Sequence, residues 1–303
     1  MSGEQPVYQR IAGELRRRIV AGELRAGERV PSTRAVMREW GVAMATATKA
    51  LTVLREEGLV RAVSGSGTVV SGRSSPRRAG SGAESGLSRE LVVRAAIVLA
   101  DAEGRAALSM RRLAAELGVG PMSLYRQVPD KDELLRLMAD TAFGAEELPE
   151  PGPSDWRERL RLSARVQWRA YRRHPWLAPE LLNSLTDPPV VPSGIRHLDW
   201  CLRGLGGLGL DEPTMLRTVV TLNGYIGGMA LSRSLEVETE QQTGVPVHHR
   251  AWSNDALAAE TVHSGRFPSF AGLTGRIEGM GDLDELFEFG LARHLDGIAA
   301  LVG

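Results

Sequence analysis

Apolar residues recur at helical spacing through the first sixty positions, and a glycine closes each run. Tyr8, Ile11, Leu15 and Ile19 lie three or four apart, which places them on one helix face, and Gly22 stops the helix. Pro31 and Ser32 open a second helix that ends at Gly41. A third runs from about residue 43 to 57, with Ala47, Leu51 and Leu54 facing inward and Gly58 after it. Two short alternating runs follow, 59–63 and 68–70. They are joined by Ser64-Gly65-Ser66-Gly67, whose glycines permit the positive φ of a tight hairpin. Three helices and a hairpin are therefore expected before residue 71.

Residues 71–86, SGRSSPRRAGSGAESG, have no apolar period and are rich in Gly, Ser and Arg, so they read as a flexible linker. Such a segment spans roughly 20 to 25 Å on average, comparable with most of a DNA turn of about 34 Å. Beyond it, residues 91–100 form an apolar helix closed by Gly104. Ser109 is placed to cap the next helix, 110–117, which Gly118 ends. A very short helix is expected over 121–127, with Pro121 in the first turn, where proline is tolerated. Asp130 and Glu133 then form a capping-box variant before Leu134, Leu135 and Leu137. From Trp156 onward the pattern is mostly helical, broken at 187–192 and 244–250.

Charge adds a division that the apolar pattern does not show. The whole chain carries 37 basic and 37 acidic residues, but residues 1–80 hold 14 basic and 7 acidic ones. A net +7 module precedes a net −7 remainder, the footprint expected of a segment that meets phosphates. Cys201 is the single cysteine, so no internal disulfide or cysteine-rich zinc site forms, and a lone buried thiol is expected. Stretches of about 18 uncharged apolar residues are absent and the first ten residues lack a secretion pattern, so a cytoplasmic protein with no membrane partner is expected.

Helix, helix, helix and hairpin is the layout of a winged helix, and residues 6–71 resemble the GntR-type winged helix in detail. The likeness rests on Ile11, Leu15, Ile19, Gly22, Leu24 and Gly27, then Val30-Pro31-Ser32 with Arg34, Gly41-Val42 and Thr46. It continues through Lys49-Ala50-Leu51, Leu54, Gly58-Leu59-Val60 and the wing Gly65-Ser66-Gly67-Thr68. The resemblance implies that Arg34, Thr46 and Lys49 offer phosphate and base-edge donors, and that the Gly65, Ser66 and Gly67 wing tip lets backbone N–H groups approach phosphate. Met44 stands where the family often has a polar or basic residue, which makes readout there weak or apolar.

Residues 87–143 resemble the TetR-type DNA-binding domain through Ala95-Ala96, Gly104, Ser109-Met110-Arg111-Arg112-Leu113-Ala114 and Leu117-Gly118-Val119. Ser123-Leu124-Tyr125, Val128, Lys131 and Leu134-Leu135 complete the match. It implies that the short third helix enters the major groove, with Tyr125 and Lys131 on phosphates and Arg111, Pro121, Met122 and Ser123 nearer the bases. Gln127 replaces the usual histidine and keeps a phosphate donor without its pH dependence. Lys49 and Lys131 are the two lysines of the chain, and both fall at implied DNA contacts.

Residues 150–303 look like the effector domain of the tetracycline-repressor subgroup, through Arg173-His174-Pro175-Trp176 and Phe287-Glu288-Phe289-Gly290-Leu291. Leu160, Ala164, Trp168 and Tyr171 form a helical stripe that reads either as core or, with Ser163, Gln167 and Trp176, as the lining of a pocket for a small apolar, drug-like effector. Helices near 216–231 and 283–301 are expected to pair with a second copy in a homodimer. His248, His249 and His263 lack metal-ligand spacing, and neither metal nor other cofactor is expected.

The fold class is therefore mainly α. A winged helix (1–71) and a linker (72–86) precede an all-α helix-turn-helix domain (87–145) and a helical ligand-binding and dimerisation domain (150–303). The function implied is a ligand-responsive DNA-binding repressor. The alternative is a regulator in which one head binds DNA and the other is a scaffold for partner proteins. An enzyme carrying pyridoxal phosphate is not expected, because Lys131 is the only lysine after the linker and it lies in the second head.

Overall fold

The computed structural model describes residues 6–63, 67–71, 87–182, 190–244, 260, 264–271 and 282–302. The chain divides into two compact units, residues 1–138 and 139–303. The expected linker 72–86, the wing tip Gly65 and Ser66, His248, His249, His263 and most of the two expected loop breaks lie outside the described residues.

In the first unit, α1 (Val7–Val20), α2 (Thr33–Trp40) and α3 (Met44–Glu56) enclose a small core. Ile11, Leu15 and Ile19 of α1 meet Ala47, Ala50, Leu51 and Leu54 of α3, and all seven are buried. The apolar spacing thus places the stripe as expected. β1 (Val60–Val63) and β2 (Gly67–Val70) pair antiparallel, with Val60 opposite Val70 and Val63 opposite Gly67. The hairpin is also tied to the segment before α2: the Val30 N–H donates to the Thr68 carbonyl at 3.0 Å, and Arg29 bridges Val69. That pairing joins residues distant in sequence, and no local pattern signals it.

The rest of the unit is α4 (Arg89–Glu103), a 3₁₀ turn (Arg105–Ala107), α5 (Met110–Glu116), α6 (Pro121–Gln127) and the start of α7 (Lys131–Gly144). Helix α4 begins two residues before the expected Leu91, because Ser88 Oγ accepts the Leu91 N–H at 3.2 Å and caps it. The other two caps sit where the sequence places them. Ser109 Oγ accepts the Arg112 N–H at 3.1 Å and Asp130 Oδ1 the Glu133 N–H at 2.7 Å. Leu108, Leu113, Leu124, Val128 and Leu134 are fully buried and fix the angle between α5 and α6.

The second unit contains α8 (Trp156–Arg173), α9 (Leu177–Leu181), α10 (Pro192–Leu205), α11 (Glu212–Thr243), α12 (Pro268–Ala271) and α13 (Leu283–Val302). Helix α8 packs against α10, α11 and α13, burying Leu160, Ala164, Trp168 and Tyr171. Asp155 caps α8 through the Glu158 N–H at 3.0 Å, and Asp211 caps the 32-residue α11 through the Thr214 N–H at 2.8 Å. No helix among the described residues is long and apolar enough to cross a membrane.

Helices α11 and α13 cross closely at a glycine. The Tyr225 hydroxyl donates to the Phe287 carbonyl at 2.7 Å and lies 3.1 Å from that of Leu286, and a Cβ at Gly290 would fall inside contact distance of the Tyr225 ring and hydroxyl. Gly290→Ala is therefore expected to displace Tyr225 and destabilise the unit by about 1 to 3 kcal/mol, the usual range for overpacking. A urea midpoint unchanged from the parent protein would show that the crossing is not tight.

Candidate nucleic-acid interface

In the winged helix, Ser32 Oγ accepts the Ala35 N–H at 3.3 Å and fixes the start of α2. Gly41 turns the chain into α3 through a left-handed φ of 64°, a conformation glycine adopts without steric penalty. Burial of Ala47, Ala50, Leu51 and Leu54 leaves the opposite face of α3 outward. There Lys49 is exposed, Thr46 half-buried and Met44 58% exposed, with Arg34 exposed on α2. The Lys49 ammonium rests 4.3 Å from the centre of the Tyr8 ring, a cation–π contact to α1. Gly67, at the described edge of the wing, is exposed with φ 81°.

In the second head, Gly118 adopts φ 65° between α5 and α6, and Pro121 occupies the first turn of α6. Arg111 is exposed; Pro121, Met122, Gln127 and Lys131 are half-buried. Lys131 Nζ donates to the Leu108 carbonyl at 2.7 Å, and the Gln127 carbonyl accepts from Arg89 Nε at 3.0 Å. Ser123 is buried, and its hydroxyl accepts from Arg126 Nη2 at 3.0 Å. Tyr125 is only 3% exposed, and its buried hydroxyl has no hydrogen-bond partner within normal geometry among the described residues. Burial, followed by the negative charge of Glu57, pushes that phenol far above its ordinary pKa. Arg126, exposed on α6, is a cation the sequence reading passed over. Its signal is a positive charge on a seven-residue helix.

The five residues expected to hold an effector all lie in the second unit, and all are buried. They do not converge on one point. Gln167 Nε2 donates to Asn223 Oδ1 at 3.1 Å and lies 3.4 Å from Ser163 Oγ, which in turn accepts from the Cys201 thiol at 3.1 Å. Burial raises that thiol to about 11, so Cys201 stays protonated at neutral pH. Asn223 was not foreseen, although an amide inside the apolar run of α11 is a visible signal.

Trp168 points the other way. It stacks on Phe287 at 4.7 Å, donates to Asp284 at 2.7 Å and lines a surface cleft of about 230 Å³ with Arg165, Arg169, Arg172 and Glu288. Trp176 sits 5.8 Å from His174, and Tyr171 lies 5.9 Å from Phe143. Phe143 in turn packs 4.6 Å from His197.

Two helix-turn-helix heads, each with exposed cationic side chains on or beside its last helix, define a DNA-binding transcriptional regulator. Comparison with known proteins gives the family. Residues 148–302 match the tetracyclin repressor-like C-terminal domain, 92–138 the bacterial regulatory proteins of the tetR family and 7–70 those of the gntR family. The HTH-type transcriptional repressor DrrR1 of Streptomyces coeruleorubidus is 39% identical over 227 residues, covering 75% of this chain and 82% of that protein. An HTH-type transcriptional regulator of Saccharopolyspora erythraea is 29% identical over 221 residues, covering 72% and 86%. Among solved structures, the TetR family protein ActR of Streptomyces coelicolor, in complex with actinorhodin, superposes with a TM-score of 0.59 at 30% identity. That match covers 72% of this chain and 98% of ActR. The chain belongs to the tetracyclin repressor-like family and joins to it a gntR-family winged helix.

His197 provides a test of the second unit's interior. Its Nδ1 is buried without a partner among the described residues, and burial, aided by Arg196, lowers the imidazole pKa to about 4. The fold therefore holds the ring neutral, whereas the unfolded chain binds its proton near pH 6.5. Stability is full above about pH 6.5 and falls as the pH drops toward 4. Urea unfolding at pH 7 and 4.5 should show a loss of about 2 kcal/mol attributable to this group, and His197→Leu should remove that part. An equal pH response in the variant would assign it elsewhere.

Proposed function

We propose that the chain acts as a homodimeric repressor that grips operator DNA with both heads and releases it when a small apolar, drug-like molecule binds the second unit. The observation that carries this reading is the presence of two recognition helices, α3 and α6, in a unit whose first 80 residues have a net charge of +7. Lys49, Tyr125, Gln127 and Lys131 are assigned to phosphates. Arg34, Thr46, Arg111, Pro121, Met122 and Ser123 lie nearer the bases, and Gly65, Ser66 and Gly67 form the phosphate-facing wing tip. Met44 supplies an apolar surface suited to a thymine methyl.

The repressor DrrR1 and the actinorhodin complex of ActR support repression and ligand response by likeness. Ser163 and Gln167, joined by Asn223, are the proposed polar effector contacts, while Trp168, Tyr171 and Trp176, which meet other neighbours, are proposed as apolar walls that an effector reaches only after rearrangement. An effector works by favouring the DNA-incompetent conformation through its difference in affinity for the two states. Leu216 and Leu235 on α11, with Leu286, Phe289 and Leu301 on α13, are exposed and supply the apolar face proposed for pairing with a second copy.

Each phosphate contact contributes about one unit to the slope of log affinity against log salt. Lys49→Ala and Lys131→Gln should each flatten that slope by about one unit. A slope altered by only one of them would favour the alternative, in which a single head meets DNA. Phe289→Asp should give a monomer in sedimentation and weaken operator binding, whereas an unaltered dimer would place the subunit interface elsewhere.

A further inference from the structure

Arg16, on the face of α1 that leaves the winged-helix core, links the two heads. Its Nε and Nη2 donate to the two carboxylate oxygens of Glu57 at 3.1 and 2.5 Å, a bidentate pair at the end of α3. Both side chains are largely sequestered, 10% and 16% exposed, although neither belongs to an apolar core. The surface that covers them includes the second head, because the Arg16 guanidinium lies 5.6 Å from the centre of the Tyr125 ring on α6. One residue past Glu57, the side-chain position of Gly58 lies 3.8 Å from Arg111 Cδ on α5. The end of α3 thus abuts one residue assigned above to the DNA surface of the second head, and Arg16 abuts another.

We propose that the winged helix is an internal cap on the second helix-turn-helix head, held by the Arg16–Glu57 pair against Tyr125, and that this docked form opposes DNA binding by that head. The proposal rests on the DNA-binding reading of α6. Tyr125 cannot present its hydroxyl to a phosphate while its ring lies under Arg16 and its oxygen is buried without a partner among the described residues. A hydroxyl buried in this way costs free energy and so favours undocking. Undocking restores a hydrogen bond to Tyr125, and a phosphate would supply a charged acceptor for it. Arg16 and the DNA backbone therefore compete for one side chain, and the docked population sets how much of the second head is available.

The test uses the intact chain, Arg16→Met and Glu57→Gln, with duplexes selected from a random-sequence pool by the intact protein. Tetranitromethane labelling reads the four tyrosines without DNA; buried Tyr171 is the protected reference and half-buried Tyr225 the reactive one. Hydrogen exchange over α1 and α3 checks that the winged helix remains folded, and if one variant loses it the other is read. The expected result is a protected Tyr125 in the intact protein that becomes reactive in the variants. Duplex affinity should tighten about three- to thirty-fold, the factor corresponding to loss of a cation–π contact.

A Tyr125 as reactive as Tyr225 in the intact protein overturns the docking. A freed Tyr125 with unchanged or weaker affinity overturns the opposition to DNA. If no form retains any duplex while Tyr125 stays protected, the docking stands, but the DNA-binding reading and the masking role fall together.

Discussion

A helix of seven residues does not persist in water by itself, because nucleating the first turn fixes many dihedrals for few hydrogen bonds. Helices α5 and α6 are both of this length, and both exist because their inward residues are completely buried. Leu113, Leu124, Val128 and Leu134 have no measurable exposure, and their burial sets the angle at which α6 is offered outward. The winged helix obeys the same rule on a slightly larger scale, with Ile11, Leu15 and Leu54 as its anchors. Recognition chemistry is thus a by-product of core geometry: whichever residues the core does not claim become available to DNA.

Those available residues are nonetheless engaged within the protein. Lys49 lies over Tyr8, Lys131 donates to the Leu108 carbonyl and Tyr125 lies under Arg16. Under the proposed assignment these protein partners stand where phosphates would, so DNA binding would exchange one set of contacts for another. The net affinity is then a difference between two sets of similar interactions, and small changes in either set move it.

The second unit solves a different problem. Helix α8 is surrounded by three neighbours, so its polar residues must find partners inside or at its edges. Gln167 does so through Asn223 and Ser163, Trp168 through Asp284, and Arg165 through a bidentate pair with Glu288. Exposed pairs of the last kind add little stability but constrain rotation of α8 against α13. Glycine at position 290 allows the approach of α11 and α13 that lets Tyr225 reach the backbone of α13.

Most of the local architecture was legible in the chain itself. The spacing of Tyr8 to Ile19, the caps at Ser32, Ser109 and Asp130, and the glycines at 41, 58 and 118 mark helices that form where they indicate. These signals act over three or four residues, the range of a helical turn, and need no knowledge of the rest of the fold. Partnerships across the chain left no such trace. The pairing of Val30 with Thr68, of Gln167 with Asn223 and of Arg16 with both Glu57 and Tyr125 joins residues that no periodicity relates. Sequence alone marked where the helices of the two heads begin and end and which of their faces are apolar, while tertiary burial lets the seven-residue ones persist. Tertiary structure alone decided that Tyr125, a surface donor by motif, lies buried beneath the other head, because burial depends on what a side chain meets in space.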